Sequence, residues 1–209
     1  MANNITNTLL DAQELVPVVV LDNAKDAVPL SKAILAAGGN FIEITLRTAA
    51  AIDAIQAIKA ANLSIIVGAG TVLTKEDVDK AIESKADFLV APGFDEDVVK
   101  YAISKNQLII PGTITPSEVQ RAMALGLEIL KFFPAEIAGG AAMLKAFGSV
   151  YPKAKFMPTG GINADNIHQY IALANVGCIG GSWVCTKEDI NEGKFELITQ
   201  KLQKANQLF

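Results

Sequence analysis

The chain has 209 residues, long for one small domain and ordinary for a single barrel, and its 51% apolar content and mean hydropathy of +0.33 can supply a large core. A net charge of only −4 gives no electrostatic case for nucleic acid, and no apolar run approaches the ~18 residues needed to cross a membrane. The start, Met1-Ala2-Asn3-Asn4-Ile5-Thr6-Asn7, lacks the basic segment and apolar core of a secretory signal, and the two cysteines, Cys178 and Cys185, have no metal-ligand spacing, so a reduced cytoplasmic setting without metal is expected.

In chain order, residues 4–14 predict an N-terminal helix. Short β-rich runs follow at 16–21, 41–46, 64–69, 88–91, 108–111, 127–133, 155–158 and 176–180. Between them the spacing is helical, as with Ala27, Leu30, Ile34 and Leu35 within 24–37. Thr74-Lys75-Glu76-Asp77 and Thr115-Pro116-Ser117-Glu118 read as helix starts, with a capping residue and acids in the first turn. Gly38-Gly39 and Gly126 read as helix stops, and a helix over 190–206 closes the chain. His168, the one histidine, falls in a helical stretch facing solvent or the helix flank, which argues against a catalytic metal site built on imidazoles.

Strand–helix alternation implies a parallel sheet covered by helices, and eight such repeats suit an α/β (β/α)8 barrel with an additional N-terminal helix. An open doubly wound sheet has fewer strands and a glycine-rich first turn, where this chain has Leu21-Asp22-Asn23-Ala24. With no composition shift or linker, residues 1–209 are expected to form one barrel domain.

Polar residues gather at the C-terminal ends of these runs, where barrel active sites form. Lys131 lies inside the apolar run Leu127–Pro134, and desolvation disfavours an ammonium ion, one route to a lysine that attacks carbonyls. The competing reading is a lysine snorkelling its head to water at a strand end. In the second run Glu43, Thr45 and Arg47 share a face, and in the sixth Ile129, Lys131 and Phe133 do. The second and sixth strands of an eight-strand barrel are opposite, so inward-facing Glu43 and Lys131 can approach one central volume, directly or through a water. Arg47 at the mouth suits a carboxylate, although a structural ion pair with Glu43 at the rim is the alternative. The seventh and eighth runs end in Thr159-Gly160-Gly161 and Gly180-Gly181-Ser182. Paired glycines there suit a phosphate, the recurrent anion site of such barrels, though tight turns also use glycine.

Taken together, IEITLRT (42–48), GAGTV (68–72), APGF (91–94), IPGTITPSE (110–118), LKFFPAE (130–136), PTGGI (158–162) and GGSW (180–183) closely resemble the bacterial 2-keto-3-deoxy-6-phosphogluconate aldolases, also called bifunctional 4-hydroxy-2-oxoglutarate/phosphogluconate aldolases. The resemblance spans nearly the whole chain in order and spacing. It implies a trimeric, cytoplasmic (β/α)8 class I aldolase of the Entner–Doudoroff pathway, with no cofactor and no metal. It further implies Lys131 as the Schiff-base lysine, Glu43 as the general acid/base and Arg47 as the carboxylate-binding residue. Thr71, Pro92 and Phe133 match pocket residues around the pyruvyl group, and Thr159, Gly160, Gly161, Gly181 and Ser182 match the sugar-hydroxyl and phosphate end.

The expected reaction cleaves a phosphorylated 2-keto acid to pyruvate and D-glyceraldehyde 3-phosphate, and 4-hydroxy-2-oxoglutarate to pyruvate and glyoxylate. A ketone stabilises the C3 carbanion of that cleavage poorly, whereas a protonated imine on Lys131 is a better electron sink. Rival readings are an aldolase for the C4-epimeric galactonate substrate, a phosphosugar epimerase or isomerase, and a non-catalytic phosphosugar-binding barrel. Metal-dependent epimerases need several His and Asp ligands that this chain lacks, and a mere binding barrel leaves a lysine in a dry strand opposite a glutamate unexplained.

Overall fold

All eight apolar runs become strands. The computed structural model describes Ile5, Leu9 and residues 14–209. Its strands are β1 (Leu15–Val19), β2 (Phe41–Thr45), β3 (Ile66–Gly70), β4 (Phe88–Val90), β5 (Ile109–Ile110), β6 (Gly112–Thr113), β7 (Ile129–Phe132), β8 (Lys155–Pro158) and β9 (Ile179–Gly181). The helices are α1 (Ala27–Ala36), α2 (Ala51–Ala60), α3 (Lys75–Glu83), α4 (Glu96–Ser104), α5 (Pro116–Ala124), α6 (Gly140–Val150), α7 (Ile167–Ile171), α8 (Lys187–Asn191) and α9 (Phe195–Asn206), with a short 3-10 turn, Ala24–Asp26, before α1. No described helix is long and apolar enough to cross a membrane.

Parallel pairing joins β5-β4-β3-β2-β1-β9 into one arc and β6-β7-β8 into another. The arcs meet twice. Pro111 separates β5 from β6, which are halves of one strand, because proline has no N–H for the ladder. Bridges Phe156–Val176 and Thr159–Gly180 then link the β8 and β9 segments. The result is a closed (β/α)8 barrel.

Strand alternation divides the apolar residues into two layers. Ile42, Ile44, Leu130, Phe132 and Phe156 face outward and pack with the helices. Val16, Phe41, Phe88, Ile129, Met157 and Cys178 face inward and, with Leu9, fill the barrel's interior. Being covered on both faces explains why the strands read as continuous apolar runs. The expected helix starts are capping boxes: Thr74 with Asp77 on α3, and Thr115 with Glu118 on α5.

Three expectations need amendment. The fifth strand runs beyond 111 to Thr113 after its break, and the eighth begins at Ile179 rather than 176. The closing helix of 190–206 is two helices, α8 and α9, with Gly193 between them at a φ of +68°, a left-handed conformation that ends a helix. Of the N-terminal helix expected over 4–14, Ile5 and Leu9 are helical and the remaining part up to residue 13 lies outside the described residues.

Candidate active site

The alternation that places Phe41 and Ile129 in the interior carries the next inward positions, Glu43 and Lys131, one step nearer the mouth. There the two side chains meet directly: Lys131 Nζ donates to Glu43 Oε1 at 3.3 Å. Side-chain exposure is 6% for Lys131 and 1% for Glu43, which rules out a lysine snorkelling to water. Taking two charges out of water costs several kcal/mol per ion, so such a pair is weak evidence for stability and calls for another reason to be there. The Phe133 ring adds a face 5.4 Å from Nζ. Glu43 Oε2 is buried and accepts no hydrogen bond from the described residues, which leaves one acceptor open beside the amine.

Arg47, the other charged residue of that segment, is exposed at the mouth and does not pair with Glu43; its Nε donates to Thr45 Oγ1 at 3.2 Å. The buried Thr45 hydroxyl in turn donates to the Val19 carbonyl at 2.9 Å. This arrangement holds Arg47 by its Nε and leaves its two terminal nitrogens for a carboxylate. Thr71, directly after β3, has a φ of +60°. Left-handed backbone at a β-branched residue is strained by about 1–3 kcal/mol, and such residues cluster at functional sites. Pro92 follows β4 and is half-buried; a Cβ on Gly112 would lie 2.1 Å from its carbonyl oxygen, so glycine is what lets the two segments touch.

At the ends of β8 and β9, Thr159 is buried and its hydroxyl occupies the space that a side chain on Gly180 would need, 2.2 Å from the position of that Cβ. Gly160 and Gly161 have φ of +102° and +80°, and Gly160 lies against Phe133 and Pro134. Gly181 is buried beside Leu15 and Trp183, and Ser182 stands exposed at the mouth without a side-chain hydrogen bond to the described residues. The eleven expected site residues therefore all lie at the C-terminal end of the barrel. A hydrogen bond joins Lys131 to Glu43, the Phe133 ring faces Lys131 Nζ, and a Cβ on Gly160 would meet that ring at 3.4 Å.

Several neighbours of these residues carry no obvious mark in the sequence. A Cβ on Gly70 would fall 2.2 Å from Glu43 Oε1, so this glycine makes the room in which Glu43 lies; its place in GAGT was the available signal. Thr45, which alternation places on one face with Glu43 and Arg47, supplies the hydroxyl that holds Arg47 Nε, a role that alternation alone does not give. Glu136 and Tyr170, joined by a hydrogen bond behind the glycine turn, are 34 positions apart, and periodicity gives no hint of their contact.

The family model described as KDPG and KHG aldolase matches residues 5–201. The KHG/KDPG aldolase of Escherichia coli (strain K12) is 40% identical over 198 residues, covering 95% of this chain and 93% of that protein. Among solved structures, a KDPG aldolase from Legionella pneumophila, with pyruvate captured at low pH as a covalent carbinolamine intermediate, superposes with a TM-score of 0.91 at 36% identity, covering 95% of this chain and 96% of the other. The 2-keto-3-deoxy-6-phosphogluconate aldolase of Zymomonas mobilis ZM4 with 3-phosphoglycerate gives 0.90 at 34% identity, covering 100% and 98%. By sequence and by fold alike, the chain belongs to the KDPG and KHG aldolase family.

Proposed function

We propose that this chain is a metal-independent class I aldolase that cleaves 2-keto-3-deoxy-6-phosphogluconate to pyruvate and D-glyceraldehyde 3-phosphate, and 4-hydroxy-2-oxoglutarate to pyruvate and glyoxylate. The buried Lys131–Glu43 pair carries this reading, because it places a primary amine and a proton carrier 3.3 Å apart on a dry floor. A carbinolamine, the species captured in the Legionella relative, is what an amine forms with a ketone. Among the described residues no three His, Cys, Asp or Glu side chains converge to hold a metal ion.

In this reading Lys131 Nζ, having passed a proton to Glu43, adds to C2 of the substrate, and Glu43 returns that proton to the carbinolamine hydroxyl, which leaves as water and gives the protonated imine. Glu43 takes the proton of the C4 hydroxyl, for which Oε2 is the open acceptor. The C3–C4 bond breaks, its electron pair moves into the imine to form an enamine, and the aldehyde leaves. Glu43 returns its proton to C3, and water hydrolyses the imine to release pyruvate and free Lys131. Arg47 holds the pyruvyl carboxylate, while Thr71, Pro92 and Phe133 wall that end of the site. Thr159, Gly160, Gly161, Gly181 and Ser182 take the hydroxyls and the phosphate.

Incubation of the purified chain with each substrate checks the reading. Pyruvate should form in equal amount with glyceraldehyde 3-phosphate or glyoxylate, and prior exhaustive chelation should leave both rates unchanged. Activity that is lost to chelator and restored by a divalent cation would overturn the imine mechanism, and no pyruvate from either substrate would overturn the function.

A further inference from the structure

The turns that follow β7 and β8 are tied together at the barrel mouth. Ala135 N–H donates to the Thr159 carbonyl at 2.8 Å, and Glu136 N–H to the Gly160 carbonyl at 3.1 Å. The fit is close: a Cβ on Gly161 would lie 2.7 Å from Cβ and Cγ of Glu136, and one on Gly160 3.3 Å from Pro134 Cα. Beyond this contact the Glu136 carboxylate accepts a hydrogen bond from the phenol of Tyr170, a fully buried ring on α7, the helix that follows the glycine turn. Gly140, at the start of α6, supplies the space; a Cβ there would approach Tyr170 Oη to 3.3 Å and Glu136 Oε1 to 3.4 Å. Burial, and then the carboxylate beside it, raise the Tyr170 phenol far above its ordinary value, so it remains a donor at any working pH.

The Thr159–Gly161 turn is thus gripped from behind by one acid whose own carboxylate is fixed by one donor. Backbone N–H groups bind an anion well only when held in direction, and a loose carboxylate beside a phosphate would repel it. We infer that Glu136 and Tyr170 are a positioning pair that aims the Thr159–Gly161 turn at the substrate phosphate and keeps the Glu136 charge off it, so that the pair helps set selectivity for phosphorylated over unphosphorylated substrate. This rests on the assignment of that turn to the phosphate.

Steady-state kinetics on both substrates test the pair. Tyr170→Phe keeps the ring and loses the donor, and should raise KM for 2-keto-3-deoxy-6-phosphogluconate by about 10- to 150-fold, the scale of one hydrogen bond to a charged group, with little change in kcat. Its constants for 4-hydroxy-2-oxoglutarate, which has no phosphate, should match the parent. Glu136→Gln retains an acceptor for Tyr170 and should stay near parent values on both substrates, whereas Glu136→Ala, which loses the fixed side chain but also its charge, should show the same selective rise in KM at a smaller size than Tyr170→Phe, and replaces it if that variant does not fold. Ser182→Ala, assayed alongside, reports on the phosphate site itself. A selective loss in Ser182→Ala with none in Tyr170→Phe or Glu136→Ala would overturn the role of the pair alone. Losses equal on the two substrates in all of these variants would overturn the phosphate assignment and the pair's role with it.

Discussion

Glu43 shows how much one residue depends on what its neighbours lack. Gly70 gives up a side chain so that the glutamate fits, and Gly68 on the same strand leaves space for the Phe88 ring. Lys131 then shares Oε1, and Oε2 remains open. If Glu43 moves protons, Glu43→Gln keeps size and hydrogen bonding but cannot exchange them. Turnover should fall by roughly 10²–10⁴, the usual span of general acid–base catalysis, with KM little changed. A rise in KM at unchanged turnover would assign Glu43 to binding instead. The types and order of the residues were legible here: an acid on an alternating face and a lysine inside an apolar run. What alternation could not provide was the distance between them, since Gly70's emptiness matters only once Glu43 Oε1 is known to lie beside it.

Among the elements, helix starts were readable and one helix end was not. Thr74 and Thr115 stand directly before helices with an acid three positions on, a local pattern with a local cause. The division between α8 and α9 has a tertiary cause as well. Lys201 on α9 binds the carboxylate of Asp189 on α8, and Thr186, the N-cap of α8, donates to that carboxylate at 2.8 Å. A single helix through Gly193 would hold these residues in a fixed order along one axis, whereas the break lets α9 fold back on α8. Hydrogen bonds from Lys201, then Thr186, hold the Asp189 carboxyl below its ordinary value. A lowered value in the folded state stabilises the protein at pH above the unfolded value of about 3.9, and that contribution is lost as pH falls through the folded value. Asp189→Asn should therefore melt below the parent at neutral pH, and the two melting temperatures should converge as the pH is taken below ~4. A gap that stays constant across that range would show that Asp189 acts through packing and not through its charge.

Across the whole molecule, barrel closure makes the site. Residues 43 and 131 lie 88 positions apart, and no local preference joins them. They meet because eight parallel strands close, the second and sixth stand opposite, and alternation turns both side chains inward above Phe41 and Ile129. Counting the strands therefore foretold the meeting. It could not foretell contacts made outside the sheet, such as Glu136 with Tyr170, which depend on how the turns fold over the mouth. The central claim is that Lys131 is the nucleophile, and trapping tests it most directly. Pyruvate with borohydride should leave one reduced pyruvyl adduct per chain, found by peptide mass mapping on Lys131 and absent from Lys131→Met. An adduct spread over surface lysines, or no adduct at all, would contradict it.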